Sequence, residues 1–330
     1  MVRVHLRLVS FITIFCGVLA VVCLAQSAAL EAQEVSAAGP DGLLKGMLLR
    51  AEEQKAGVVI IPGSGPIDRD GNFANGSGAS TYKLLAEALA QKGISSLRID
   101  KRGMFSSSAA ISDPNNVTIA GYGDDLIAWS NVLRRETGLS CVWFLGHSEG
   151  GLVALKAVES LENRSEICGL LLVAAPGRPV GVLLREQLAA NPSNAPVLED
   201  ANAAIDALER GERVDTDGFH PALASLFSPG LQRYMIDLFS HDPARLIAAY
   251  DGPTLILQGE RDLQVTAEDA QMLAAANTSA ELRMLNDTTH MLKAVTSSDV
   301  SENMATYSNP HLPLADGVEP AITDFVLQTD

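Results

Sequence analysis

Ser148, Asp262 and His290 are the three side chains of this 330-residue chain whose types and order fit nucleophilic acyl transfer. A serine hydroxyl attacks a carbonyl when a base takes its proton, and that base needs a third group to fix its tautomer. Ser148 lies in Gly146-His147-Ser148-Glu149-Gly150-Gly151, between an apolar run at 141–145 that predicts a buried strand and a helical stretch at 152–161. Gly-x-Ser-x-Gly in that setting is a strand-to-helix elbow: the serine takes a strained backbone, and the residues two positions either side must be small. Asp262 follows a compact strand predicted over 254–259, and His290 follows another over 282–285. Both fall just past strand C-terminal ends, where a parallel sheet gathers its active site. Ser148 would attack, His290 would take and return its proton, and Asp262 would stabilise the charged imidazole.

Other residues compete for these roles. Glu260 shares the turn with Asp262 and is the alternative orienting acid, while Asp287 better fits a loop-shaping role near His290. His147 is expected to pack against the scaffold inside the elbow. His220 and His241 fall in a helical insertion and His311 between prolines, and lone histidines of this kind are more often structural than catalytic. His5 lies in a segment expected to be removed.

An oxyanion also needs donors. The strand predicted over 58–61 runs into Pro62-Gly63-Ser64-Gly65-Pro66, a turn able to aim an amide at that oxygen. The expected donors are the backbone N–H groups of Ser64 and Glu149, the second at a helix start. Asp68-Arg69-Asp70-Gly71 and Arg102 are expected to brace this loop through ion pairs and turn hydrogen bonds.

Positioning these groups takes a sheet. Strands are predicted at 57–61, 94–99, 141–145, 169–174, 254–259 and 282–285, with helices at 81–91, 119–136, 152–161 and 318–327. The alternation implies an α/β fold with a mostly parallel central sheet and helices on both faces. An initial strand at 44–49 is expected at the antiparallel edge. Between 179 and 250 the strand signal vanishes. Helical stretches at 182–190, 196–210, 221–227 and 231–239 read as a cap over the serine that helps to shape an acyl pocket. The expected organisation is a leader at 1–29, core at 30–178, cap at 179–250 and the rest of the core at 251–330.

Further motifs join these: Asp100-Lys101-Arg102-Gly103, Ala175-Pro176-Gly177-Arg178-Pro179 with Leu184-Arg185-Glu186-Gln187, and Gly259-Glu260-Arg261-Asp262-Leu263-Gln264-Val265. As a set, from about Leu43 to the C-terminus, the chain resembles α/β-hydrolases of the serine hydrolase superfamily. Within them it is similar to bacterial EstD-like esterases, a group often labelled serine aminopeptidase-like. The resemblance implies hydrolysis of carboxylic esters with short acyl chains, without a cofactor.

Arg3 and Arg7 open the chain, residues 8–24 are almost unbroken in apolarity, and Ala25-Gln26-Ser27-Ala28-Ala29 is rich in small residues. This is the order of a secretory signal peptide and predicts a secreted or periplasmic protein, with an uncleaved membrane anchor as the alternative. Loss of the leader removes two arginines and no acid, moving the net charge from −16 to −18. So acidic a surface argues against nucleic acid and anionic membranes, and a small-molecule ester is the expected partner. Cys16 and Cys23 leave with the leader. Cys141 and Cys168 open neighbouring strands near one end, so a disulfide and two packed free thiols both fit. No Cys-x-x-Cys or His-x-x-x-His spacing suggests a metal.

Two other functions fit less well. A serine peptidase would need an acidic site for a free amine, for which Glu149 and Glu186 are candidates. A binding protein on a retired hydrolase scaffold would have no need of the intact Ser148–Asp262–His290 order.

Overall fold

Strands that are apolar on both faces need helices on both sides. The computed structural model, which describes residues 31–297 and 299–329, has that layering. The leader expected at 1–29 lies outside the described residues. One sheet contains β1 (Ala32–Ala38), β2 (Leu43–Leu49), β3 (Ala56–Ile61), β4 (Ile94–Ile99), β5 (Val142–His147), β6 (Ile167–Val173), β7 (Thr254–Gly259) and β8 (Glu281–Leu285). Their order is β1-β2-β4-β3-β5-β6-β7-β8. β2 pairs antiparallel with β1 and β4, and the remaining pairs are parallel. The helices are α1 (Thr81–Ala90), α2 (Ile119–Thr137), α3 (Glu149–Glu159), α4 (Val180–Ala190), α5 (Leu198–Glu209), α6 (Pro221–Leu226), α7 (Pro229–Phe239), α8 (Pro243–Ala248), α9 (Ala267–Ala276), α10 (Val300–Ala305) and α11 (Val318–Gln328). Among the described residues no helix is long and apolar enough to cross a membrane.

Alternation along the strands sorts the core into two layers. Val59, Ile61, Phe144 and Leu172 share one apolar cluster with Leu126 and Trp129 of α2 and Leu152 and Val153 of α3. Val58, Ile60, Leu145 and Val173 share the other with Leu85 and Leu89 of α1 and Ile322 and Phe325 of α11.

The segment expected at the antiparallel edge is the second strand. β1 is the true edge, and only Val35 and Ala37 of it are buried, so its sequence carries little apolar signal. Helices α8, α9 and α10 were not anticipated either. The expected helix at 196–210 starts at Leu198, after a 3-10 turn over Pro192–Val197.

Cys141 and Cys168 form a disulfide with Cα atoms 5.2 Å apart. A regular parallel ladder would aim neighbouring side chains unfavourably for a bridge. Here the register of β5 on β6 shifts between Val142 and Trp143: Val142 pairs with Ile167, and Trp143 with Gly169. Cys168 is the extra residue at that irregularity, released from the ladder and free to meet Cys141.

Helices α4 to α8 form the insertion between β6 and β7, and Ile205, Leu208, Phe227 and Met235 extend the α2–α3 cluster into it. Asp237 of α7 accepts from the amide of Ile119 at 2.7 Å, placing a carboxylate at the N-terminus of α2. At the cap's first junction, Arg178 grips Asp269 at 2.9 and 3.1 Å and Glu186 at 2.7 and 2.9 Å. Asp269 is fully buried, also accepts from the Gly177 amide, and forms a capping box with Thr266 at the start of α9.

Candidate active site

The turn from β5 into α3 puts Ser148 at φ 56°, ψ −126°, a conformation that a non-glycine residue adopts only when its surroundings impose it. Those surroundings are crowded. A Cβ on Gly146 would lie 2.2 Å from the Gly150 carbonyl oxygen, and one on Gly150 would lie 2.4 Å from that of Ile61. Only glycine at both positions lets strand, turn and helix pass this closely. Ser148 is half-buried at the start of α3.

His290 is carried by a tight loop closed by a Thr288–Ala294 bridge and by Val295 N–H donating to the Asp287 carbonyl at 2.8 Å. Its Nδ1 donates to Asp262 Oδ2 at 2.7 Å, and both side chains are buried. That bond leaves Nε2 as the basic nitrogen. Asp262 is fixed in turn: Oδ1 accepts from the amides of Gln264 at 2.8 Å and Val265 at 2.9 Å, and Oδ2 also takes Gln258 Nε2 at 3.2 Å. Glu260 makes no such contact with His290, so the structure brings Asp262 to the imidazole. Ser148 and His290 line one small pocket of about 80 Å³ with His147, Met291, Gln264 and Tyr307.

His147 has a larger part than packing. Its Nε2 lies 2.8 Å from the His290 carbonyl oxygen, which can only accept, so Nε2 carries the proton. Nδ1 must then accept from the Tyr82 hydroxyl at 3.0 Å, and Tyr82 Oη accepts from the Gly63 amide at 3.1 Å. The chain of bonds runs from the loop after β3, through the elbow, to the backbone of the catalytic-histidine candidate. Burial, reinforced by the proximity of His290, holds the His147 pKa down at about 3, so the ring is neutral and this tautomer is fixed. His220, His241 and His311 lie away from this cluster: His220 caps α6, and His241 sits beside Asp237.

Ser64 and Glu149, the expected oxyanion donors, lie on the two segments that flank Ser148. Among the described residues neither amide has a hydrogen-bond acceptor. Behind them sits a buried ion pair, Lys101 Nζ to Glu149 Oε1 at 3.2 Å, with Ser64 Oγ donating to Glu149 Oε2 at 2.7 Å. The 68–71 part of the loop is braced as expected, whereas Arg102 bonds to α2 instead. Asp100 accepts from the Arg69 amide at 2.8 Å and pairs with its guanidinium, Asp70 pairs with Arg98, and Arg102 forks onto Asp125 at 2.6 and 2.7 Å.

On the other side of Ser148 a pocket of about 320 Å³ opens beneath the cap, lined by Leu183, Leu184, Leu226, Met235, Leu238 and Phe239 among others. The two cavities meet at Ser64, Ser148 and Gln264, which line both. Gln264 also bridges the elements around it. Its carbonyl accepts from Gln187 of α4 at 2.9 Å, and its side chain donates to the Tyr307 hydroxyl at 2.7 Å.

Sequence reasoning missed Tyr82, Gln258 and the pairing of Lys101 with Glu149. Lys101 lay within a motif that follows a strand, but Tyr82 had no local signal, because its partners are distant in the chain. The acidic candidates for an amine site are both engaged, Glu149 by Lys101 and Ser64, and Glu186 by Arg178.

Known proteins resemble this arrangement. Thermotoga maritima esterase EstD is 28% identical over 241 residues, 71% of this chain and 54% of that protein. The chain thus spans about half the length of the curated relative it matches. A thermophilic esterase from Thermogutta terrifontis, solved with malate bound, superposes with a TM-score of 0.55 at 18% identity, covering 90% of this chain and 99% of that one. Est1E from Butyrivibrio proteoclasticus gives 0.53 at 16% identity, covering 90% and 98%. At these identities the structures speak to the fold alone, the α/β-hydrolase fold. The family model described as serine aminopeptidase, S33, matches residues 75–294, more than half of the chain, and the protein therefore belongs to that family of α/β-hydrolase serine hydrolases.

Proposed function

We propose that the protein hydrolyses carboxylic esters through an acyl-enzyme on Ser148. The observation that carries this reading is the junction of two cavities at Ser148, one apolar and one containing an Asp262-oriented imidazole. In the first half-reaction Ser148 Oγ attacks the ester carbonyl while His290 Nε2 takes its proton. The amides of Ser64 and Glu149 hold the oxyanion, and His290 returns the proton to the departing alcohol oxygen. Water, activated by the same imidazole, then releases the acid.

The geometry of proton return assigns the cavities. The leaving oxygen must lie beside His290, so the alcohol occupies the smaller pocket and the acyl chain the apolar one beneath the cap. The larger volume lies near the low end of the about 300–1,000 Å³ usual for small-molecule sites, which suits short to medium acyl chains. Engagement of Glu149 and Glu186 weighs against a peptidase that must bind a free amine. The disulfide and the apolar leader at 8–24 both support export to an oxidising compartment.

The test is hydrolysis of p-nitrophenyl acetate, butyrate and octanoate, with amino-acid p-nitroanilides alongside. Ester turnover should fall about 10⁴-fold or more in Ser148→Ala. Retained turnover in that variant, or anilide cleavage exceeding ester cleavage, would overturn the reading.

A further inference from the structure

The buried ion pair beside Ser148 takes no part in the steps above. The Lys101 and Glu149 side chains are only 3% and 2% exposed. Lys101 Nζ donates to the Gly63 carbonyl at 2.7 Å as well as to Glu149 Oε1, and lies 5.3 Å from the centre of the Tyr122 ring. Glu149 Oε2 accepts from Ser64 Oγ. One carboxylate is therefore tied to both residues whose amides are the expected oxyanion donors.

Such a carboxylate creates an electrostatic problem. An oxyanion forming on the amide of Glu149 would be repelled by the side chain of the same residue, and more strongly in a buried setting than in water. A cation in contact with that carboxylate removes the repulsion. The contact with Gly63 does something separate. The Gly63 C=O and the Ser64 N–H belong to one planar trans peptide and point in opposite directions. Holding the carbonyl toward Lys101 therefore aims the Ser64 amide away from it. Tyr82 holds the other side of Gly63 through its N–H, so the residue has little freedom to rotate.

We propose that Lys101 is a positioning residue of the oxyanion hole: it orients the Gly63–Ser64 peptide and cancels the Glu149 charge that would oppose the oxyanion. The proposal rests on the acyl-transfer reading of Ser148. It explains why a lysine lies buried in the Asp100-Lys101-Arg102-Gly103 segment, where Asp100 serves the loop through Arg69 and Arg102 ties the segment to Asp125 of α2. The carboxylate is kept because it joins the two donor segments through Ser64, and the lysine makes that join compatible with catalysis.

The experiment compares Lys101→Met, Glu149→Gln and the double variant on p-nitrophenyl butyrate, with melting temperature measured for each. Lys101→Met leaves a lone negative charge by the oxyanion and frees the peptide, and kcat should fall on the order of 100-fold with KM within about threefold. Glu149→Gln strips the opposing charge and should cost at least about tenfold less than Lys101→Met. The double variant should recover about tenfold over Lys101→Met, because the charge is gone although the peptide is still released. A pair that serves stability alone predicts comparable losses in both single variants and no recovery in the double. That pattern, or an unchanged kcat in Lys101→Met, would overturn the proposal. Should Lys101→Met not fold, Glu149→Gln decides by itself: a loss of about 100-fold overturns it, and a loss below about tenfold supports it. An inactive wild type would instead sink the ester-hydrolase reading, so the two failures are distinguishable.

Discussion

On the core side of Ser148 the polar groups are held by buried partners. Asp262 takes four hydrogen bonds, His147 is bonded through both nitrogens, and Gly63 is fixed at its N–H and its C=O. The cap side is built differently. Apart from Gln187, the lining that the cap contributes is aliphatic, aromatic or thioether, and cap pairs such as Arg185–Glu209 lie toward solvent, with side chains 26% and 32% exposed. Exposed pairs of that kind contribute about 0–1 kcal/mol each. On the proposed mechanism, transferring protons and stabilising an oxyanion tolerate little displacement, and an over-determined core wall fits that need. Holding an acyl chain needs volume and apolar surface, so the cap wall can change without disturbing the chemistry.

Removing one link from the core wall tests this contrast most severely. Tyr82→Phe deletes the hydroxyl that accepts from Gly63 N–H and donates to His147 Nδ1, leaving two buried polar groups unpaired. Activity should suffer more than binding, with kcat down on the order of 100-fold and KM nearly constant. The variant should also lose about 1–3 kcal/mol of stability in urea denaturation. A lower stability with unchanged kcat would reduce the network to scaffolding and erase the contrast.

A second buried lysine sharpens it. Lys293, three residues beyond His290, is fully buried, and its ammonium donates to the Leu312 carbonyl. Where Lys101 has a carboxylate, Lys293 has that neutral acceptor, and burial lowers its pKa from 10.5 to about 8. Below about pH 8 folded and unfolded chains both hold the proton, and the full cost of burying the charge is present. Between about 8 and 10.5 the folded protein sheds a proton that the unfolded chain keeps, so stability rises with pH. Relative to Lys293→Met, the wild type should gain about 2 kcal/mol between pH 7 and pH 10, read from urea denaturation at each pH. A constant difference across that range would mean that the lysine finds solvent or an acid partner.

What the sequence disclosed follows from how local each signal is. β4 and β7 begin and end at the residues expected, because each is a short run bounded by turn or charged residues, with an apolar centre in β7 and with Ser95, Ser96 and Arg98 among the apolar residues of β4. Ser148, Asp262 and His290 stood out as candidates because each follows such a strand. β1 did not, since Ala-Gln-Glu-Val-Ser-Ala-Ala offers two small buried contacts and takes its pairing from β2. The disulfide depended on a register shift that no spacing rule contains. Tyr82 and Lys101 act on Gly63 from 19 and 38 residues away, contacts that only the folded sheet creates. The candidate site was legible where its residues sit at an element's end, and illegible where it depended on packing between elements.

The cap wall should yield a smaller effect of a different kind. Leu183 of α4 is buried and lines the apolar pocket, so Leu183→Trp adds bulk where an acyl chain would extend. The Asp262–His290 bond and the Tyr82–His147 chain are built from residues outside α4, so acetyl transfer should be less affected than transfer of longer chains. The ratio of kcat/KM for p-nitrophenyl octanoate to that for the acetate should fall about tenfold, the scale of a few lost methylene contacts. Equal losses on both esters would mean that the substitution moves Gln187 and, through the Gln264 carbonyl, the Asp262 turn. The cap would then be a part of the catalytic wall rather than its counterpart.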